Sequence, residues 1–341
     1  QFRYASNSSF CNELRAYVHS KHPRVSVDFN YHGYPPFDWQ VGELPIPHSA
    51  MSDFVTAEGL PWAFGYTMPS LVTLFMVASH PEGLAQGVTW RGIREYHDYT
   101  VRPAIDIKAE VMTYLAHGAF CTIVDKADYE GTLDHEAYRR MGEAFGEARA
   151  KSEYFGHRPV QEAGIYFSER TRDWYGQGDE TPAKIMRVER MPTQKYYQSF
   201  LGAHSAMVEG HIPCGILFDG NLSVEKLREF PVAYLPNAAC LTEKQAGLLR
   251  EYVETGGNLL ATGLTGLYDG MGRPRKESVI AELIGAKFVR RMETKDHYFR
   301  FDAPDDELGR ALQRDIPSDW FMLAWGDWAV FEPNDHTLPS C

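Results

Sequence analysis

"VAYLPNAACLTEKQAGLLREYVETGGNLLATGLTGLYDG", residues 232–270, decides how the rest of the chain is read. VAYLP (232–236) is a short apolar run of the kind that forms a strand covered on both faces. TEKQAGLLREYVETG (242–256) has helical spacing, a threonine able to cap its start and glycines at its end. NLLATG (258–263) is a second apolar run. Strand, helix, strand in fewer than 40 residues is a βα unit, and such units build parallel sheets.

The alternation extends upstream. GIYFS (164–168) and CGILF (214–218) read as strands, and YYQSFLGAHSAMVEG (196–210) and SVEKLREF (223–230) as helices, giving a compact flavodoxin-like unit. Polarity changes near 156–163, where a boundary between two units is placed. Before it lie a helix at 9–22, four strands and three further helices. The strands are RVSVDFN (24–30), DFVTA (53–57), GVTWRGIREY (87–96) and AFCTIVDK (119–126). The helices are 69–80, 102–118 and 133–155, the last capped by Asp134. This first half fits either an open doubly wound sheet or part of an eight-stranded barrel. The phosphate-cradling patterns GxGxxG and GxxxxGK[ST] are absent, which weakens a nucleotide-binding open sheet. Residues 264–341 are mixed, with a helix in ESVIAELIG, and the last forty residues are not placed.

The chain has 341 residues, 44% hydrophobic, and a formal net charge of −12. That composition suits a packed α/β protein and argues against a nucleic-acid partner, which needs a basic surface. No run of about 18 apolar residues suggests a membrane span. The five cysteines are scattered and never spaced as CxxC, so they read as free thiols in a reducing, cytoplasmic setting. No HxH or HExxH spacing points to a metal, and no cofactor is expected.

The 232–270 stretch resembles the middle domain of bacterial β-galactosidases of glycoside hydrolase family 42, over roughly residues 160–290. The resemblance implies a class I glutamine-amidotransferase-like fold that helps build a homo-oligomer, a trimer in that family. In VDFNYHG (27–33), REYHDYTVRPAIDIKAEVMTYLAHGAF (94–120) and TIVDK (122–126), residues 1–155 are similar to the second half of a (β/α)8 barrel. Glycosyl hydrolases distantly resembling α-L-fucosidases carry such a barrel. The expected fold class is therefore α/β: the second half of a TIM-type barrel (1–157), a flavodoxin-like domain (158–290) and an extension (291–341). Both ends look cut, and the first four barrel strands are expected to lie outside this chain.

Barrel active sites gather at the carboxyl ends of strands. Glycoside hydrolysis uses two carboxyl groups flanking the scissile bond. Glu58 ends the second strand, with Trp62 close behind it. An aromatic neighbour keeps a carboxyl protonated near neutrality, which suits Glu58 as general acid/base and Trp62 as a sugar platform. The other reading of Glu58 is a solvated glutamate at a strand end. Asp28 and Asn30 share one face of the first strand and either contact substrate or make structural hydrogen bonds. His32, Tyr96 and His97 are candidate sugar contacts or solvated loop residues. Asp125 either orients a substrate hydroxyl or forms a salt-bridged pair with Lys126. The resemblance places the nucleophile on a strand upstream of residue 1. In the second unit Leu264 stands where an amidotransferase would need its thiol, and Cys240 follows a different strand, so glutaminase chemistry is not expected. The function expected is hydrolysis of O-glycosidic bonds, with a carbohydrate as the partner molecule. The alternative is a non-catalytic carbohydrate-binding or assembly protein.

Overall fold

The computed structural model describes residues 1–31, 41–59, 61, 65–93, 99–175, 195–292, 296–300, 307–314, 319–325 and 328–334. The protein is α/β, as read. Helix α1 (Phe2–Lys21) and the short α2 (Pro45–Met51) precede three parallel strands, β1 (Phe54–Glu58), β2 (Leu84–Trp90) and β3 (Phe120–Val124), paired in that order. Helix α3 (Met68–Ser79) links β1 to β2, and α4 (Ala104–Ala116) links β2 to β3. Asp134 caps α5 (His135–Ala150) as expected, accepting from the backbone N–H groups of Glu136 and Ala137.

The strand expected at 24–30 does not form. Residues 25–31 run beside β1 outside any ladder. One backbone bond, Asp53 N–H to Val27 O at 2.8 Å, joins them to the start of β1. The Asp53 carboxylate takes the Val27 N–H at 2.8 Å and is itself held by Arg15 and His19 of α1. A side chain thus accepts a donor that a ladder would have paired. Helix α1 starts at Phe2, seven residues before the expected start at residue 9.

The second sheet is parallel, in the order β5–β4–β6–β7, with β4 (Ala163–Phe167), β5 (Cys214–Phe218), β6 (Val232–Leu235) and β7 (Asn258–Ala261). Every one of these strands was expected. The helix between β6 and β7 (Glu243–Glu254) starts in a capping box of Thr242 and Gln245. Gly256 ends its turn at φ +99, and Gly257 lies so close to the Tyr252 ring that a Cβ would fall 2.3 Å from it. The unplaced C-terminal part forms two antiparallel pairs. β8 (Ala286–Met292) pairs with β11 (Trp328–Pro333), and β9 (Asp296–Phe299) with β10 (Met322–Trp325).

One core joins the two parallel sheets. Helix α3 packs on β1 and β2 on one side and on β5 on the other. The Phe75 ring lies 5.0 Å from that of Phe167 and 4.7 Å from that of Phe218, both edge-on. The division at 157/158 therefore runs through a continuous apolar cluster. Beside it, the Ser70 hydroxyl of α3 sits between His117, which follows α4, at 2.8 Å and His204 of the helix Lys195–Glu209 at 3.1 Å. One hydroxyl proton serves one acceptor, so the other imidazole donates through Nε2–H. Burial depresses both rings to about 4.

Two expected outcomes follow from this junction. Phe75→Ala should cost about 3–5 kcal/mol and lower a single calorimetric transition. Two separate transitions would mean that the sheets unfold independently. The histidines must take up protons on unfolding. Their contribution is thus full above about pH 6.5 and lost as pH falls toward 4, of order a few kcal/mol for the pair. Urea unfolding at pH 7, 5.5 and 4 measures this slope, and a His117→Gln/His204→Gln variant should flatten it.

Candidate active site

Strand alternation sets the face on which Glu58 stands. Val55 and Ala57 are fully buried toward α3, while Phe54, Thr56 and Glu58 turn to the opposite face. Along that face a polar row crosses the sheet. Thr56 donates to Asp28 Oδ2 and lies 3.2 Å from Gln86 Oε1, and Gln86 Nε2 donates to Thr122 Oγ1 at 2.5 Å. Asp28 thus shares a cluster with the strand carrying Glu58. Its Oδ1 is buried without a hydrogen-bond partner among the described residues. Burial raises its carboxyl to about 6, against the opposing bonds from Thr56 and the Phe29 backbone. The same face carries exposed Leu84, Phe120 and Val124.

The backbone after Glu58 is held from behind. Gly59 N–H donates to Tyr114 Oη at 3.2 Å, and that hydroxyl lies 2.8 Å from Glu110 Oε1 and 2.9 Å from Val88 O. Glu110 Oε2 accepts from Thr89 Oγ1 at 2.6 Å and from Arg102 Nη1 at 2.8 Å. Arg102 also reaches Trp90 O at 3.2 Å and Asp106 at 2.8 Å. A buried ion pair with its hydrogen bonds filled therefore ties the carboxyl ends of β1 and β2 together. Gly87 admits the Tyr114 ring, since a Cβ there would lie 2.2 Å from it.

The other expected site residues fall as follows. Asn30 is exposed. His32, Trp62, Tyr96 and His97 lie outside the described residues. Asp125 is salt-bridged, though not to the Lys126 ammonium; from Lys126 it accepts the backbone N–H at 2.7 Å. Its Oδ1 meets Arg91 Nε at 2.6 Å, and Arg91 reaches on to Asp134 at 2.9 Å, with Arg91 and Asp125 both almost wholly buried. The Lys126 ammonium lies 5.1 Å from the Tyr99 ring centre instead. Among the described residues no group of three His, Cys, Asp or Glu could hold a metal, and no helix is long and apolar enough to cross a membrane. Thr56, Gln86, Thr122 and Tyr114 were missed in the sequence. The period-2 alternation could have nominated the first three, but nothing local marks Tyr114.

At the carboxyl edge of the second sheet the strained turn falls on Gly263, at φ +61, rather than on Leu264. Leu264 is buried, and its N–H donates to Asn237 Oδ1 at 2.9 Å. In a nucleophile elbow the N–H after the nucleophile helps bind the oxyanion. Here that donor is occupied, and the elbow residue has no side chain. Cys240 is fully buried, its thiol pushed up to about 12 chiefly by desolvation. Next to it, Asp219 accepts from Tyr166 Oη, from Gln245 Nε2 at 2.9 Å and from Arg170 N–H at 3.0 Å. Glu169 accepts the Asp219 N–H at 2.9 Å. Burial holds both carboxyls above the ordinary range, and the Asp219 charge raises Glu169 further.

No family model matches the chain, and no curated protein matches it. Solved structures do, and those named here are glycoside hydrolases. α-L-Fucosidase isoenzyme 2 from Paenibacillus thiaminolyticus superposes with a TM-score of 0.71 at 18% identity, over 96% of this chain and 44% of that one. The β-galactosidase from Bacillus circulans sp. alkalophilus gives 0.72 at 12% identity, over 97% and 49%. The β-galactosidase from Rahnella sp. R3 gives 0.71 at 13% identity, over 98% and 50%. This chain spans half or less of each of these three proteins, and the likeness at such identities is one of fold.

Asp28→Asn tests the electrostatics of the polar row. An aspartate raised by burial favours folding only where it is protonated in both states. Its cost is absent below about pH 4 and complete above about pH 6. The asparagine variant should therefore be about 1–2 kcal/mol more stable than the parent at pH 7 and unchanged at pH 4, by urea unfolding. Equal stability changes at both pH values would show that folding does not raise this carboxyl.

Proposed function

We propose that this chain is part of a glycoside hydrolase acting on O-glycosidic bonds, β-galactosidase-like or α-L-fucosidase-like, with Glu58 as its general acid/base. The observation that carries the reading is where Glu58 stands. It ends a parallel strand, on the face turned away from the helices, beside a row of hydrogen-bonding side chains. That is where a barrel enzyme gathers its catalytic groups. The overlap with glycosidases along nearly the whole chain supports it. In this reading Glu58 protonates the leaving oxygen, and Asp28, Asn30, His32, Trp62, Tyr96, His97 and Asp125 are candidate substrate contacts. The second carboxylate is supplied by residues outside the 341.

The unit from 158 to 290 is proposed to serve assembly into a homo-oligomer rather than chemistry, and the elbow at Gly263 supports this because it offers no nucleophile. Residues 291–341 are proposed as an extension of that unit, a reading that the pairing of β11 with β8 supports.

The 341-residue chain alone should show no turnover of aryl glycosides. In the polypeptide that completes the barrel, Glu58→Gln should lower the rate roughly 10²–10⁴-fold. Substrates with poor leaving groups should suffer most. An unchanged rate on such substrates would remove Glu58 from the chemistry, and hydrolysis by the chain alone would remove the external carboxylate.

A further inference from the structure

A cavity of about 690 Å³ opens at the carboxyl ends of β6 and β7, far along the chain from Glu58. Small-molecule sites occupy about 300–1,000 Å³ and favour this edge of a parallel sheet. Asn237 and Thr262 line one side. Ile280 and Ile284 line another, and Trp328 and Phe331 of β11 contribute two aromatic rings. The β8–β11 register shifts between Val330 and Phe331, a bulge that re-aims the strand there. Trp328 is held by the rings of His297 at 5.5 Å and Phe299 at 5.1 Å.

The polar groups are oriented in advance. Asn237 sits at φ +52, and Leu264 N–H fixes its Oδ1 as an acceptor. Its Nδ2 is therefore a donor, without a hydrogen-bond partner among the described residues. Thr262 Oγ1 accepts Asn237 N–H at 3.3 Å, which leaves its hydroxyl proton to give. Among the described residues no acid or base lines the cavity. A charged ligand would find no counter-charge there, and a purely apolar one would leave the amide and hydroxyl unpaired. A neutral pyranose meets both demands, with a C–H face for the indole and a rim of hydroxyls for two fixed donors. We infer that this cavity is a carbohydrate-binding site, separate from the face that carries Glu58.

The intact chain can be tested by saturation-transfer NMR and calorimetry with methyl β-D-galactopyranoside and L-fucose as probes, and galacturonate and cyclohexanol as controls. At least one neutral sugar should bind saturably, and more tightly than either control. Trp328→Leu and Asn237→Gly should each weaken it tenfold or more, and Leu84→Ala, exposed on the Glu58 face, should leave it unchanged. The glycine variant keeps the positive φ accessible but frees the Leu264 N–H, so Asn237→Asp, which keeps that acceptor and loses the donor, accompanies it. Absence of saturable binding, binding of cyclohexanol or galacturonate as tight as that of the sugars, indifference to the cavity variants, or loss in Leu84→Ala would each overturn the assignment.

Discussion

Helix Met68–Ser79 contains no charged residue, and most of its positions are buried. A helix with no polar face has to be covered on every side. Here β1 and β2 cover one side and β5 the other. Its few hydroxyls are satisfied without water. Thr73 donates to Pro69 O at 2.6 Å and Ser79 to Met76 O at 2.9 Å, while Ser70 bridges the two histidines. The remaining geometry follows from that burial. The first sheet can turn only its far face outward, and that face carries Glu58 and the polar row. The second sheet must present Phe167 and Phe218 to the helix.

The carboxyl ends of the two sheets are built differently, and the difference bears on what each can do. Behind Glu58 the polar network is complete and lies on the helix side, where Glu110, Arg102, Thr89 and Tyr114 satisfy one another. The opposite face keeps an unpartnered oxygen on Asp28. In the second sheet the network lies across the end itself. Asp219, Tyr166, Gln245 and Glu169 fill the region where loops diverge from β4 and β5. Among the described residues, the cavity at that edge opens on its β6–β7 side.

The sequence was most informative where structure is local. All four strands of the second sheet and the Thr242 cap were legible because short apolar runs, helical spacing and capping chemistry need no distant partner. The 24–30 segment has the composition of a strand, yet Asp53 and α1 claim its backbone donor. That competition depends on a residue 26 positions from Val27 and on the Arg15 clamp. Glu58 was legible as a strand end. Its support from Tyr114 was not, because that contact spans 55 residues and is set by the depth of a helix over two glycines. Asp125 was recognised as a rim carboxylate, but its partner Arg91 sits on the neighbouring strand's exit. Adjacent numbering favoured Lys126 instead. The C-terminal pairs stayed unplaced because antiparallel register between segments some 36 residues apart leaves no local mark.

Gly263 and Asn237 fix the geometry of this edge together. Both hold positive φ, and the space where a Cβ on residue 263 would stand is taken by the Asn237 side chain, 2.6 Å away. Any side chain at 263 would displace that amide, release the Leu264 N–H and reopen the turn. Asn237 in turn is fixed by the bond that closes it. The bare turn at 263 and the oriented amide of Asn237 are therefore one structural fact. The edge presents a rigid polar group beside an aromatic wall. That combination is suited to holding a ligand without transforming it.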